Sequence, residues 1–127
     1  MANCRVHTTL PVSDLARARA FYEHELAIPP ATELPTGVFY NCGDGTRFVL
    51  SQSAGTASGA HTQMAFVVDD IVAVVKDLRS RGVVFEEYDT PAFKTVDGIA
   101  DRGVLKAAWV KDPDGNLLAI MQPGEPL

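Results

Sequence analysis

The sequence is poor in cysteine and contains neither a cluster of basic residues nor a long apolar run. Two cysteines occur among the 127 residues, and Cys4 and Cys42 lack the C-x-x-C spacing and the further partners of a metal site. We interpret both as reduced, partly buried thiols. The formal net charge of −5, with Lys and Arg scattered, argues against a nucleic-acid partner. No apolar stretch reaches about 18 residues and the first residues do not form a signal peptide, so we expect a cytoplasmic protein with no membrane partner.

The strongest pattern that is present is a pair of apolar runs around a tight turn, at positions 107–121. In the turn Asp112-Pro113-Asp114-Gly115, the proline presets φ at a central position and the glycine tolerates a positive φ. The pattern predicts a β-hairpin. A weaker copy lies at positions 38–50, where Asp44-Gly45 takes the place that Asp114-Gly115 has in the later turn.

A second repeated segment precedes each of these hairpins. The segment 10–15 leads from an apolar run into a helical pattern, and the segment 66–71 does the same in the second half. These two segments are separated by fewer residues than the two hairpin turns are. The second half must therefore carry a longer insertion between its helix and its hairpin. We therefore predict one α+β domain over residues 1–127, built from two βαβββ modules at 4–53 and 61–123 with a linker of small residues at 54–60.

The first module is predicted to begin with a strand and a helix. Residues 6–10 alternate as a strand that Pro11 ends. A helix over 13–26 has Ser13 as its N-cap. Residues 31–36 are a weak candidate for a short edge strand, because prolines and a glycine lie nearby.

The second module is predicted to follow the same order. A strand over 62–68 leads to a helix that Asp69 caps and that ends at about Arg81, and residues 83–88 are predicted to form a further strand. Residues 91–103 have no period, which indicates a long loop. This loop is either a cover over a site or an exposed connector.

Together these segments resemble the vicinal oxygen chelate superfamily, which includes glyoxalase I, bleomycin-resistance proteins, fosfomycin-modifying enzymes and extradiol dioxygenases. The likeness rests on the segments 6–22, 65–71 and 111–116. It implies that the two modules form a cupped mixed sheet. It also implies that metal-using members place their ligands on the first and last strand of each module, at positions that correspond here to His7, Val49, Gln63 and Ala119.

The residue types at these four positions do not favour a metal. Valine and alanine offer no donor atom, and a glutamine carbonyl is a weak donor for a transition metal. We therefore predict no metal and no cofactor. His7 then becomes a hydrogen-bonding group in the wall of a pocket, or a histidine that contacts only structural neighbours.

The alternation of strand side chains extends this set to the rest of the predicted concave face. An apolar lining with a few polar groups suits an apolar or aromatic small molecule. Plain filling of the sheet interior is the alternative for each residue. The predicted ligand-binding residues are His7, Thr9, Arg47, Val49, Ser51, Gln63, Ala65, Trp109, Ala119 and Met121.

Two classes of function are compatible with these residues. The first is a metal-free protein that binds, and so sequesters, a small organic molecule, as the drug-resistance members of the superfamily do. The second is an enzyme, either a metal-dependent lyase, isomerase or dioxygenase, or a metal-free catalyst with His7 as its general base. In both cases the resemblance, together with the exposed sheet edges, implies a homodimer.

Overall fold

The computed structural model describes residues 1–124, so the last three residues of the predicted domain, 125–127, lie outside the described part. The chain divides into two compact units, with the boundary between Ala57 and Ser58. Within residues 1–124, each unit contains one four-stranded sheet and one α-helix. No helix in this range is long and apolar enough to cross a membrane.

The first unit is a mixed sheet with a helix against one face. Its elements are strand β1 (Thr8–Val12), helix α1 (Leu15–Ala20), a π-helical turn (Phe21–Glu25), strands β2 (Pro30–Leu34) and β3 (Gly37–Asn41), a 3-10 turn (Gly43–Gly45) and strand β4 (Arg47–Gln52). The strand order is β1-β4-β3-β2, with β1 parallel to β4 and the other pairs antiparallel. The first predicted hairpin is therefore present as β3 and β4.

The second unit has the same strand order. Its elements are strand β5 (Thr62–Val67), helix α2 (Ile71–Ser80), and strands β6 (Ala100–Asp101), β7 (Leu105–Lys111) and β8 (Leu117–Pro123). The order is β5-β8-β7-β6, with β5 parallel to β8 and the other pairs antiparallel. The repeated order confirms the predicted α+β class and the internal duplication.

Each helix buries its apolar side against one face of its own sheet. In the first unit the Tyr22 ring packs on Phe48, with ring centroids 5.5 Å apart, and both side chains are fully buried or nearly so. In the second unit Ile71, Val75 and Leu78 form the buried side of α2, and the amide of Ile71 donates to Gln122 Oε1 on β8. The opposite face of each sheet is left for other contacts.

Both helices begin one residue later than predicted. Asp14, not Ser13, caps α1, because its carboxylate accepts a hydrogen bond from the Arg17 amide. Asp70, not Asp69, caps α2 by accepting from the Ala73 amide. In each case an aspartate side chain reaches the free amide three residues ahead, as an N-cap does.

Two predicted strand boundaries were also wrong. Pro11 lies inside β1 opposite Ser51, because β1 is an edge strand and a proline there removes no hydrogen bond from the ladder. Residues 83–88 form only an isolated bridge, Phe85 to Val110, because the next residues pair with a following segment through the Thr95 amide and the Tyr88 carbonyl.

The predicted loop 91–103 contains more regular structure than expected. A tight turn at 90–93 is closed by hydrogen bonds between Thr90 and Phe93. A second turn between Val96 and Ile99 has positive φ at both central residues, and the segment ends in β6. The unequal repeat spacings are therefore due to an ordered insertion.

The cysteines fit the prediction only in part. Both thiols are free, and Cys42 is partly buried, but Cys4 is exposed. Burial raises the pKa of the Cys42 thiol. A raised pKa reduces the thiolate fraction at neutral pH, so Cys42 is a poor nucleophile.

Candidate functional site

The ten predicted ligand-binding residues divide equally between the two units. His7, Thr9, Arg47, Val49 and Ser51 belong to the first unit. The second unit contains the other five, which are Gln63, Ala65, Trp109, Ala119 and Met121. The relevant surface in each unit is the sheet face that points away from the helix.

In the first unit, cross-strand pairing brings one row of this face together. Thr9 on β1 lies opposite Val49 on β4, and Val49 lies opposite Phe39 on β3. Val49 is buried, whereas Phe39 is half-buried and Thr9 is exposed. The neighbouring row contains Ser51, which lies opposite Pro11 and Gly37.

Two polar side chains converge on the ring of Phe39. The His7 ring lies nearly perpendicular to it, with centroids 5.4 Å apart and an interplanar angle of 78°. The guanidinium carbon of Arg47 lies 4.5 Å from the ring centroid, which is within range of a cation–π interaction. His7 and Arg47 are both exposed, so their polar atoms are open to solvent.

In the second unit, the corresponding row consists of two small side chains and one aromatic side chain. Ala65 on β5 lies opposite Ala119 on β8, and Ala119 lies opposite Trp109 on β7. Val67, Met121 and Ala107 form the next row. Ala65 is exposed and Ala119 is buried, and these two small side chains bring no charge next to the indole.

Two aromatic rings, one from the predicted strand 83–88 and one from the loop 91–103, pack on Trp109. The ring centroids of Phe93 and Tyr88 lie 5.1 Å and 5.5 Å from that of Trp109, and the Tyr88 ring is nearly perpendicular to the indole. The indole Nε1 donates to Thr62 Oγ1 at 3.1 Å. The predicted loop thus places one of its own side chains, Phe93, directly against a predicted ligand-binding residue.

The charged residues near these aromatic side chains are Glu86, Lys111 and Arg102. Burial, and then the nearby Glu86 carboxylate, raise the pKa of the Tyr88 phenol, which therefore stays neutral at physiological pH. Lys111 forms an ion pair with Glu86, with a distance of 3.4 Å between Nζ and Oε1. Arg102 lies 5.6 Å from the centroid of the Phe93 ring.

Gln63 does not follow the simple alternation that predicted its orientation. The register between β5 and β8 shifts between Thr62 and Met64, so Gln63 is an extra residue in its strand. Its Oε1 atom is buried, and no residue of the described range 1–124 donates a hydrogen bond to it. A buried acceptor without a donor costs about 1–3 kcal/mol, so this atom favours a donor from a ligand or water.

Three of the residues that complete these faces were missed by the sequence analysis. Phe39 could have been found, because the spacing that relates Asp44 to Asp114 also relates Phe39 to Trp109. Tyr88 and Phe93 have no such signal, since Tyr88 ends the predicted strand 83–88 and Phe93 lies in the loop 91–103, which has no counterpart in the first module.

The four positions that the resemblance assigns to metal ligands do not suit a divalent cation. Val49 and Ala119 have no donor atom, and the His7 ring packs on Phe39. Within the described residues, neither unit places three side chains of the His, Cys, Asp and Glu types so that they could hold a metal ion. The residues at these four positions therefore do not fit a catalytic metal.

His7 also lacks the surroundings of a general base. No carboxylate among residues 1–124 forms an ion pair with its ring, and the ring contact that it makes is with Phe39. A catalytic imidazole is ordinarily oriented by a hydrogen bond to its second nitrogen. The described residues therefore include no carboxylate that would orient the His7 ring for proton transfer.

Two βαβββ-type units with the same strand order define a class of small duplicated proteins, and the sequence identifies the family within it. Residues 5–120 match the model of the Glyoxalase/Bleomycin resistance protein/Dioxygenase superfamily. The chain belongs to this superfamily. A comparison with curated protein sequences gives no significant match.

Solved structures show the same fold over nearly the whole chain. A glyoxalase/bleomycin resistance protein/dioxygenase from Alicyclobacillus acidocaldarius is 19% identical with a TM-score of 0.71, over 97% of this chain and 93% of that chain. The fosfomycin resistance protein FosX from Listeria monocytogenes is 17% identical with a TM-score of 0.71, over 96% and 94%. TnmS3, an antibiotic binding protein from Streptomyces sp. CB03234, is 25% identical with a TM-score of 0.70, over 98% and 99%.

Proposed function

We propose that the protein binds an apolar or aromatic small organic molecule without a metal. The observation that carries this proposal is the aromatic group of Trp109, Phe93 and Tyr88 beside the small side chains of Ala65 and Ala119. Aromatic side chains with space next to them and a few polar groups are typical of sites for organic ligands.

Two relatives support a role in sequestration or resistance. TnmS3 is described as an antibiotic binding protein, and FosX as a fosfomycin resistance protein. For this chain we propose capture of the ligand and no conversion of it, since the ligand positions of metal-using relatives hold Val49 and Ala119.

Each unit offers one proposed polar anchor, His7 in the first and Gln63 in the second. The exposed polar atoms of His7 are available to a hydrogen-bonding group of a ligand, and the buried Oε1 of Gln63 would accept a hydrogen bond from a ligand donor. The segment 91–103, through Phe93, would be the cover of the site. Entry of a ligand next to Trp109 would then require Phe93 to give way.

Calorimetric titration with planar probes tests this function. We expect naphthalene-2-carboxamide and biphenyl-4-carboxamide to bind the wild-type protein, and Ala119→Trp to abolish binding because the new indole fills the space. Ala73→Trp, at an exposed position on α2, is the matched control and should bind normally. Gln63→Ala should weaken binding by roughly threefold to tenfold. Unchanged affinity of Ala119→Trp, or no binding of either probe to the wild type, contradicts the proposal.

We also propose that the protein is a homodimer. Strand β2 is exposed along its whole length and lies at the edge of its sheet, so its unpaired backbone groups favour a covering partner. A second copy of the chain is the simplest partner. Light scattering should give twice the chain mass of 13.6 kDa, whereas a mass near 13.6 kDa at micromolar concentration contradicts this expectation.

A further inference from the structure

We propose that the helix-free face of the first unit binds the anionic group, and specifically the carboxylate, of an aromatic small molecule through Arg47. This inference rests on the proposed function, to which it adds a ligand class and a place on the first unit, and it requires no contact with the second unit. It depends on three observations, which are the position of Arg47, the charge of the face around it and the neighbouring His7.

Arg47 is held in place by an aromatic ring and not by an acid. Its guanidinium carbon lies 4.5 Å from the centroid of Phe39, and the residue is exposed. No carboxylate of the described residues forms an ion pair with it. A guanidinium that lies over a ring keeps the N–H donors at its edge, and these match the two oxygens of a carboxylate.

The face around Arg47 contains no acidic side chain in its strands, although the whole chain has a net charge of −5. The only acidic residue in β1 to β4 is Glu33. Glu33 lies opposite Val38, on the other face, where its carboxylate is 2.6 Å from Arg19. The register places on the face of Arg47 the residues Thr9, Pro11, Thr32, Leu34, Gly37, Phe39, Asn41, Val49 and Ser51.

His7 provides a second polar group next to the same ring. Its ring centroid is 5.4 Å from that of Phe39, so the imidazole and the guanidinium contact one aromatic side chain. An anionic group at the edge of Phe39 would therefore meet two nitrogen-bearing side chains. The apolar part of the ligand would lie over Phe39 and its neighbour Val49 in the same row.

A matched pair of probes separates the charge from the aromatic ring. Naphthalene-2-carboxylate and naphthalene-2-carboxamide have nearly the same shape and differ in charge. We expect the wild-type protein to bind the carboxylate about tenfold more tightly than the amide in equilibrium dialysis at low salt. Because the contact is exposed, this preference should shrink when KCl is raised from about 0.02 M to about 0.5 M.

Substitutions of Arg47 assign the preference to this residue. Arg47→Gln should remove the difference between the two probes while the amide binds as before, and Arg47→Lys should keep part of it. Lys76→Gln removes one positive charge from an exposed position on α2 and should keep the full preference. Circular dichroism and thermal unfolding would verify that each variant is folded.

The outcomes distinguish this inference from the function on which it rests. Equal binding of carboxylate and amide by the wild type overturns the anionic ligand and leaves the proposed function standing. A preference that survives in Arg47→Gln overturns the role of Arg47. Binding of neither probe overturns the proposed function and this inference with it.

Discussion

The two units have the same strand order but different chemistry on the faces that point away from their helices. The row Thr9, Val49 and Phe39 of the first unit corresponds, through the repeat, to Ala65, Ala119 and Trp109 of the second. Around Phe39 lie the polar side chains His7 and Arg47.

Around Trp109 lie the aromatic side chains Phe93 and Tyr88. Backbone pairing maintains the duplicated fold and depends little on side chains that face away from the core. These faces were therefore free to diverge, one toward charge and the other toward aromatic surface.

The helix-facing cores differ as well. In the first unit Tyr22, Tyr40 and Phe48 pack together, with Tyr40 and Phe48 stacked at 5.0 Å between centroids. In the second unit the residues of α2 that face the sheet are aliphatic. In the first unit α1 has only six residues, and the π-helical turn that follows it contributes the buried ring of Tyr22 to this core.

The largest effect that this comparison predicts is at Gly37, whose counterpart in the second unit is Ala107. A Cβ atom at Gly37 would lie 2.5 Å from the backbone oxygen of Leu50, so the paired strands would have to separate. We expect Gly37→Ala to lower the free energy of unfolding by about 3 kcal/mol, as measured by urea denaturation followed by circular dichroism.

Gly43→Ala is the matched control, because a Cβ there meets nothing within 4 Å. It should change the free energy of unfolding by less than about 0.5 kcal/mol. Equal stability of the Gly37→Ala and Gly43→Ala proteins would show that the close approach of β3 and β4 is not a constraint on the sequence.

The next effect concerns the turns of the two hairpins. Asp112 is buried, and its carboxylate accepts hydrogen bonds from the amides of Asp114 and Asn116 and from the Asn116 side chain. Its counterpart is Cys42, which has no carboxylate to offer. Asp112→Ala removes the buried acceptor of these three hydrogen bonds, so we expect a loss of about 2 kcal/mol in the free energy of unfolding, measured by urea denaturation.

Thr46→Val tests the corresponding turn in the first unit. It removes a single exposed hydrogen bond, from Thr46 Oγ1 to the Gly43 carbonyl, and should lower the unfolding free energy by less than about 1 kcal/mol. Equal destabilisation by Thr46→Val and Asp112→Ala would contradict this prediction, because it would mean that side-chain hydrogen bonds stabilise the two turns to the same extent.

The sequence was sufficient to predict the parts of the fold that repeat. Both hairpins, both helices and the internal duplication follow from periodicity, turn residues and the two spacings, because each of these signals is local. The helix starts were displaced by one residue, since Ser13-Asp14 and Asp69-Asp70 each offer two capping side chains. Residues 83–88 were predicted as a strand, but Tyr88 pairs locally with Thr95, and Asp89 with Lys94, so that only the Phe85 to Val110 bridge joins this segment to the sheet.

The candidate site was less predictable, because it depends on contacts between distant segments. The spacing between the two hairpins would have indicated Phe39 from Trp109. The contact of Phe93 with Trp109 arises from turns inside an insertion that has no repeat partner. The register shift at Gln63 is a one-residue irregularity that alternation cannot reveal.

The smallest effect concerns the polar cluster that joins the first helix to its sheet. Glu23 Oε2 lies 2.6 Å from Arg19 Nε and accepts a hydrogen bond of 2.7 Å from the Tyr40 hydroxyl. The hydrogen bond from Arg19 is the main reason that the pKa of Glu23 is lowered, and the bond from Tyr40 adds to it. The corresponding position of α2 is Arg79, which lies over the Phe85 ring.

A carboxylate whose pKa is lowered by folding stabilises the folded protein above its unfolded pKa of about 4.3, and this contribution is lost as the pH falls through the lower, folded value. Between pH values of about 7 and about 3, the wild type should therefore lose about 1 kcal/mol more stability than Glu23→Gln, a size typical of a partly exposed ion pair. The free energy of unfolding would be measured by urea denaturation at each pH. Glu25→Gln, which removes a carboxylate that forms no ion pair within residues 1–124, is the control and should follow the wild type. An identical pH dependence in Glu23→Gln and the wild type would mean that the ionised Glu23 carboxylate does not stabilise the first unit.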